Sequence, residues 1–123
     1  MKIRISGNSI RLRLSKTDVA QLKQYQHVSD KTIISGQEIF RYTLRSSSSI
    51  EKTRVTFQQG EILISIPQAQ ANIITDTDQI GVEELIENGT VEKLLLLIEK
   101  DLKCLDGNRG EQSDMYNHRT KDC

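Results

Sequence analysis

Residues 2–14 read Lys2-Ile3-Arg4-Ile5-Ser6-Gly7-Asn8-Ser9-Ile10-Arg11-Leu12-Arg13-Leu14. Apolar and polar side chains alternate on both sides of Gly7-Asn8. A period of two is that of a half-buried strand, and Gly-Asn between two such runs is a two-residue hairpin turn. Ser15 then stands as a helix cap with Asp18 three residues on, the spacing of a capping box. Val19, Leu22 and Tyr25 recur at helical spacing, so 16–26 is expected to be a short amphipathic helix. Two further strands, about 30–35 and 38–45, meet at Ser35-Gly36-Gln37, with Phe40, Tyr42 and Leu44 alternating against Arg41, Thr43 and Arg45.

Beyond the polar run Ser46–Ser49 the pattern restarts. Val55 and Phe57 alternate with Arg54 and Thr56, Gln59-Gly60 turns, and Ile62, Ile64 and Ile66 alternate with Leu63 and Ser65. Pro67 suits the first position of a helix, expected over 68–75. Strands over about 80–87 and 91–100 flank Asn88-Gly89, a strong hairpin signal. A helical reading of 82–105 competes, because Asn-Gly also ends helices. An offset of 52 residues favours strands: Ile3 falls on Val55, Leu12 on Ile64, Leu22 on Ile74 and Tyr42 on Leu94. The expectation is one α+β domain over 1–105, built from two ββαββ pseudo-repeats, 1–45 and 53–100. About eight strands would form a mostly antiparallel sheet or partial barrel, with two short helices. Residues 106–123 read as a loose polar tail whose only sizeable apolar groups are Met115 and Tyr116.

The 123 residues are 36% hydrophobic and 28% charged, a globular balance. The longest run of strongly apolar residues, Leu94–Ile98, is far short of the roughly twenty a membrane helix needs. The first residues carry no apolar leader, and two cysteines make no disulfide scaffold, so a cytoplasmic protein with no membrane partner is expected. Zero net charge hides a split. Residues 1–54 hold eleven Lys/Arg against four acids, and residues 55–123 hold six against thirteen. Such asymmetry fits either a basic surface for an anion or mutual neutralisation of two packed halves.

Phosphate-loop, dinucleotide, hydrolase-elbow and zinc-protease motifs are all absent. His27 follows a helix end, and Glu83, Glu84 and Glu87 read as a solvated run. Two sets of residues carry more chemistry. Lys2, Arg4, Arg11, Arg13, Arg41, Arg45 and Arg54 stand at the polar parity of their strands and would share a face if those strands were neighbours. Arginine's fixed charge and bidentate fork suit phosphate or carboxylate, and grouped like charges repel unless an anion or an acid lies among them. Glu61, Glu92 and Glu99 are the acids placed to do so. The tail offers Cys104, His118 and Cys123 as a zinc set with a carboxylate from Asp106, Glu111 or Asp114, although its spacing is that of no zinc finger. No cofactor is expected. Phe40, Tyr42 and Phe57 stand at core parity rather than among the arginines, and the pI is near 6.7, so nucleic acid is not an expected partner.

Lys2-Ile3-Arg4-Ile5, Asn8–Leu14, Asp78-Gln79-Ile80-Gly81 and Ile98–Leu105 together resemble a family of small uncharacterised bacterial proteins, over most of residues 1–105. That resemblance implies strand structure near Ile80–Glu87 and brings no activity or site residues. The hairpin–helix–hairpin pattern is also similar in architecture to the triphosphate-tunnel (CYTH-like) fold, an antiparallel barrel lined with Lys and Arg. Those enzymes begin with alternating metal-holding glutamates, where this chain has Lys2 and Arg4. The leading expectation is a non-enzymatic binding module whose basic face takes an anionic small molecule or acidic partner. The alternatives are a phosphoanhydride- or nucleotide-acting enzyme with a basic tunnel, and a structural or homodimeric protein without ligand.

Overall fold

The computed structural model describes residues 1–103 and 116–117. β1 (Lys2–Ser6) and β2 (Ser9–Leu14) make the first hairpin, which turns through Gly7 at φ 55°. α1 (Lys16–Tyr25) carries the expected capping box: Asp18 N donates to Ser15 Oγ at 3.2 Å, and Ser15 N donates to Asp18 Oδ2 at 2.9 Å. Val19 and Leu22 turn inward, but Tyr25 is exposed. At 3.6 residues per turn Tyr25 lies about 120° around the axis from Val19, off the packed stripe. β3 (His27–Ser35), β4 (Glu38–Ser47), β5 (Arg54–Gln58) and β6 (Glu61–Pro67) follow. α2 (Gln68–Asp76) begins after Pro67, which is its extended N-cap rather than its first helical residue.

Residues 81–86 and 94–100 are strands, not helix. β7 (Gly81–Ile86) and β8 (Leu94–Lys100) pair antiparallel from Gly81↔Glu99 to Ile86↔Leu94. Asn88-Gly89 lies in the longer loop 87–93 rather than in a two-residue turn. The Asn88 side chain spans that loop, accepting from Thr90 N at 3.1 Å and donating to Glu92 O at 2.9 Å. Asn8 Nδ2 donates to Glu92 O and Lys93 O and ties the loop to the first hairpin.

The eight main strands and two helices form an α+β arrangement of two four-stranded mixed sheets, ordered β1-β2-β8-β7 and β3-β4-β6-β5. Every hairpin is antiparallel, but the central pairs β2/β8 and β4/β6 are parallel. Each sheet therefore takes one hairpin from each half of the chain. The pairings are related two-fold: Ile10 lies beside Leu96 as Ile62 lies beside Tyr42. Structurally matched residues are 52 apart in the first hairpins and helices, but 54 apart in the second hairpins, because α2 and β7 are joined by a longer link. The ungapped register thus stops at the helices, and Val28 matches Val82 rather than Ile80.

The inner faces of both sheets and the helices share one core. Leu12, Leu14, Leu22, Leu44, Ile64, Ile66, Ile74, Leu96 and Ile98 are all but inaccessible there. The helices pack on each other and on both sheets. The sheets do not close into a barrel, and aliphatic side chains fill the space between them, so the arginines line no tunnel. Lys100, at inner parity, is buried; its Nζ donates to Thr77 O at 2.7 Å and lies 5.3 Å from the Tyr116 ring centroid. Tyr116 belongs to β10 (Tyr116–Asn117), which runs parallel to β9 (Leu102–Lys103), and its N–H donates to Asp101 O. One residue of the expected loose tail is thereby packed against the core.

Candidate functional site

The seven basic residues singled out by parity all lie on outer faces, but on two different sheets. Lys2, Arg4, Arg11 and Arg13 belong to β1 and β2; Arg41, Arg45 and Arg54 belong to β4 and β5. Arg11, Arg13 and Arg41 are therefore not brought together. Parity fixes the face of a strand, not the sheet it joins.

The two faces are neutralised differently. On the first, Lys2 lies opposite Arg13, and Arg13 opposite Glu99. Glu99 Oε1 is 3.4 Å from Arg11 Nε and 3.8 Å from Arg13 Nε, and Lys2 Nζ meets Asp101 Oδ2 at 2.9 Å. Of the four cations, three have an acid within reach. On the second sheet the two-fold-equivalent row is His27–Arg45–Ser65–Arg54, and it contains no carboxylate. Arg45 stands where the first sheet has Glu99, and its Nε donates to Ser65 Oγ at 2.7 Å. The next row, Ser29–Thr43–Leu63–Thr56, is uncharged, and the one after it is Lys31–Arg41–Glu61–Gln58. Glu61 is the sole acid in these three rows; Thr43 Oγ1 donates to it at 2.7 Å, and no ion pair within 4.0 Å joins it to Arg41 among the described residues. The Glu92 side chain forms no ion pair there either.

Sequence parity also places two acids at core positions. Asp30 lies between Val28 and Thr32 on β3, and Glu84 between Val82 and Ile86 on β7. Both sit at seams where edge strands of the two sheets approach each other. At the β1/β3 seam the Met1 ammonium meets Asp18 Oδ2 at 3.0 Å and Asp30 Oδ2 at 3.1 Å, while Tyr42 Oη donates to Met1 O at 2.9 Å. Burial works against the ammonium's charge, but the two carboxylates outweigh it and hold its pKa above the ordinary value. Partial burial pushes Asp30 up, yet bonds from the ammonium and from Lys31 N–H prevail and leave it below the usual carboxylate value. Burial, then the charges of Asp30 and Asp18, push the Tyr42 phenol up.

At the opposite seam, β5/β7, Thr53, Gln70 and Glu84 hold the places of Met1, Asp18 and Asp30. Thr53 Oγ1 donates to Glu84 Oε1 at 2.7 Å and lies 3.4 Å from Gln70 Oε1. This seam stays open as a cleft of about 800 Å³. Glu84 is half-buried there rather than part of a solvated acidic run. A separate shallow groove of about 360 Å³ between the sheets is lined by apolar groups including Ile5, Phe40, Phe57 and Leu94. Phe57, at core parity, is 65% exposed on its rim.

Among the described residues no three His, Cys, Asp or Glu side chains converge as metal ligands, and the zinc set Cys104, His118 and Cys123 lies outside them. Among the described residues no helix is long and apolar enough to cross a membrane. A family model described as a family of unknown function (DUF7009) matches residues 1–120. The chain belongs to that family. No curated protein and no solved structure matches it. Membership of DUF7009 agrees with the resemblance read from the opening hairpin and the Ile98–Leu105 segment, and like it brings no activity.

Proposed function

We propose that the chain is a bacterial, cytoplasmic binding module, not an enzyme, and that the outer face of the β3-β4-β6-β5 sheet takes an anion, a phosphate- or carboxylate-bearing partner. One observation carries the reading: the row His27–Arg45–Ser65–Arg54 has two guanidiniums and no carboxylate, where the equivalent row of the other sheet contains Glu99. Two strand spacings separate Arg45 from Arg54, about 10 Å. An anion between them would accept bidentate bonds from arginine and a further bond from the exposed Thr56 hydroxyl. Guanidiniums spread over two strands suit an extended acidic segment or a polyphosphate better than a single small anion.

Tripolyphosphate, as the probe, should raise the melting temperature by mass action, most at low salt. Arg41→Gln with Arg45→Gln should abolish that rise, whereas Arg11→Gln with Arg13→Gln should leave it. Equal loss from both pairs would reduce the effect to net charge and overturn the assignment to this sheet. No rise in the wild-type chain with either tripolyphosphate or poly-glutamate would overturn the reading altogether.

A further inference from the structure

Beside the anion face, with which it shares Arg54, we propose that the open cleft at the β5/β7 seam binds a small zwitterion, an α-amino acid with an apolar side chain. The internal two-fold supplies the first argument. At the closed seam Asp18 and Asp30 hold a primary ammonium at 3.0 and 3.1 Å. Their counterparts Gln70 and Glu84 present an amide carbonyl and a carboxylate, and among the described residues both are met by the Thr53 hydroxyl rather than by a cation. That hydroxyl brings one proton and no charge, so it leaves Glu84 without a cationic partner and with spare acceptor capacity.

The second argument is the cleft itself. At about 800 Å³ it falls within the size range of ligand sites. Its lining combines both signs of charge with an apolar wall: Glu84 and Glu51, Lys52 and Arg54, and Ile50, Leu85 and Pro67. Among the described residues no ion pair within 4.0 Å joins these acids to these bases; the one ion pair at the rim is Glu87 with Lys93 at 3.1 Å. A purely cationic ligand would meet Lys52 and Arg54, and a purely anionic one would meet Glu84 and Glu51. A zwitterion satisfies both, its ammonium on Glu84 and Gln70, its carboxylate on Arg54 or Lys52, and its side chain on the apolar wall.

The experiment is an amide chemical-shift titration of the full chain with L-leucine, L-leucinamide and N-acetyl-L-leucine. Leucine should give saturable shifts confined to residues 49–54, 70 and 84–87. N-acetylation removes the ammonium and should weaken binding at least about tenfold, the scale of one lost charge-assisted hydrogen bond. The amide removes the carboxylate and should weaken it by a smaller factor. Glu84→Gln retains an acceptor for Thr53 and so should stay folded, by its spectrum, while losing leucine but not the response to tripolyphosphate. Arg45→Gln should do the opposite. Absence of saturable leucine shifts, or N-acetyl-leucine binding as well as leucine, would overturn the proposal; unimpaired binding by folded Glu84→Gln would do the same.

Discussion

Removing the carboxylate that lies between Arg11 and Arg13 tests how the first sheet face is neutralised. Glu99→Gln keeps size and hydrogen-bonding capacity but deletes the charge. The Glu99 side chain is 29% exposed and each arginine 32%, so neither the full Coulomb energy nor the weak value of a fully exposed pair applies. Two contacts at 3.4 and 3.8 Å should contribute about 0.5 kcal/mol each. Their loss also leaves Lys2 opposite Arg13 and Arg4 opposite Arg11, like-charge cross-strand pairs with a comparable cost. The expected destabilisation is about 1–2 kcal/mol, or roughly 4–8 °C in melting temperature for a domain of this size. Thermal unfolding followed by circular dichroism at low salt measures it. Near 1 M salt, where the screening length is about 3 Å, most of the effect should vanish. Arg45→Gln, in the row without a carboxylate, should leave ligand-free stability unchanged or raised. A Glu99→Gln variant that melts at or above the wild-type temperature would refute internal neutralisation of this face, and with it the contrast on which the anion proposal rests.

Three more outcomes follow from particular contacts. Gly81→Ala should destabilise the β7 edge severely, because a Cβ would collide with Ile98 O and stand 2.9 Å from Glu99 Cα, both backbone atoms; loss of amide-exchange protection in β7 reports it. Stability against urea should form a plateau bounded by Asp30 and Met1. The lowered Asp30 pKa gives stability present above its ordinary value of 3.8 and lost as pH falls through the folded value. The raised Met1 pKa gives stability present below 8.0 and lost as pH climbs through its folded value. Asp30→Asn should flatten the acid limb, and an unchanged limb would assign it elsewhere. Tyr116→Ala should cost about 1–2 kcal/mol through the ring's packing and its position 5.3 Å from Lys100 Nζ, so truncation after Leu105 should lower the melting temperature rather than leave it in place.

Local pattern determined much of this protein. Alternation in 2–14, 38–45 and 54–66 sets which side chains face the core, and Ser15 with Asp18 caps α1, because these signals act between residues two to four positions apart. The same alternation placed each arginine on an outer face. What local pattern could not carry was partnership across the chain. Nothing within β2 specifies β8 as its parallel neighbour, nor within β4 that β6 lies beside it, since many apolar strands offer equivalent edges and the choice is made by joint packing of both sheets and both helices. That choice separated Arg11 and Arg13 from Arg41 and set Glu99 between the first two. It also put Glu84 beside Thr53 across an open seam, and gave Tyr116 a place over Lys100. Parity alone could mark Asp30 and Glu84 as acids on the core side of their strands; only the approach of two sheet edges decided that one would face an ammonium and the other a cleft.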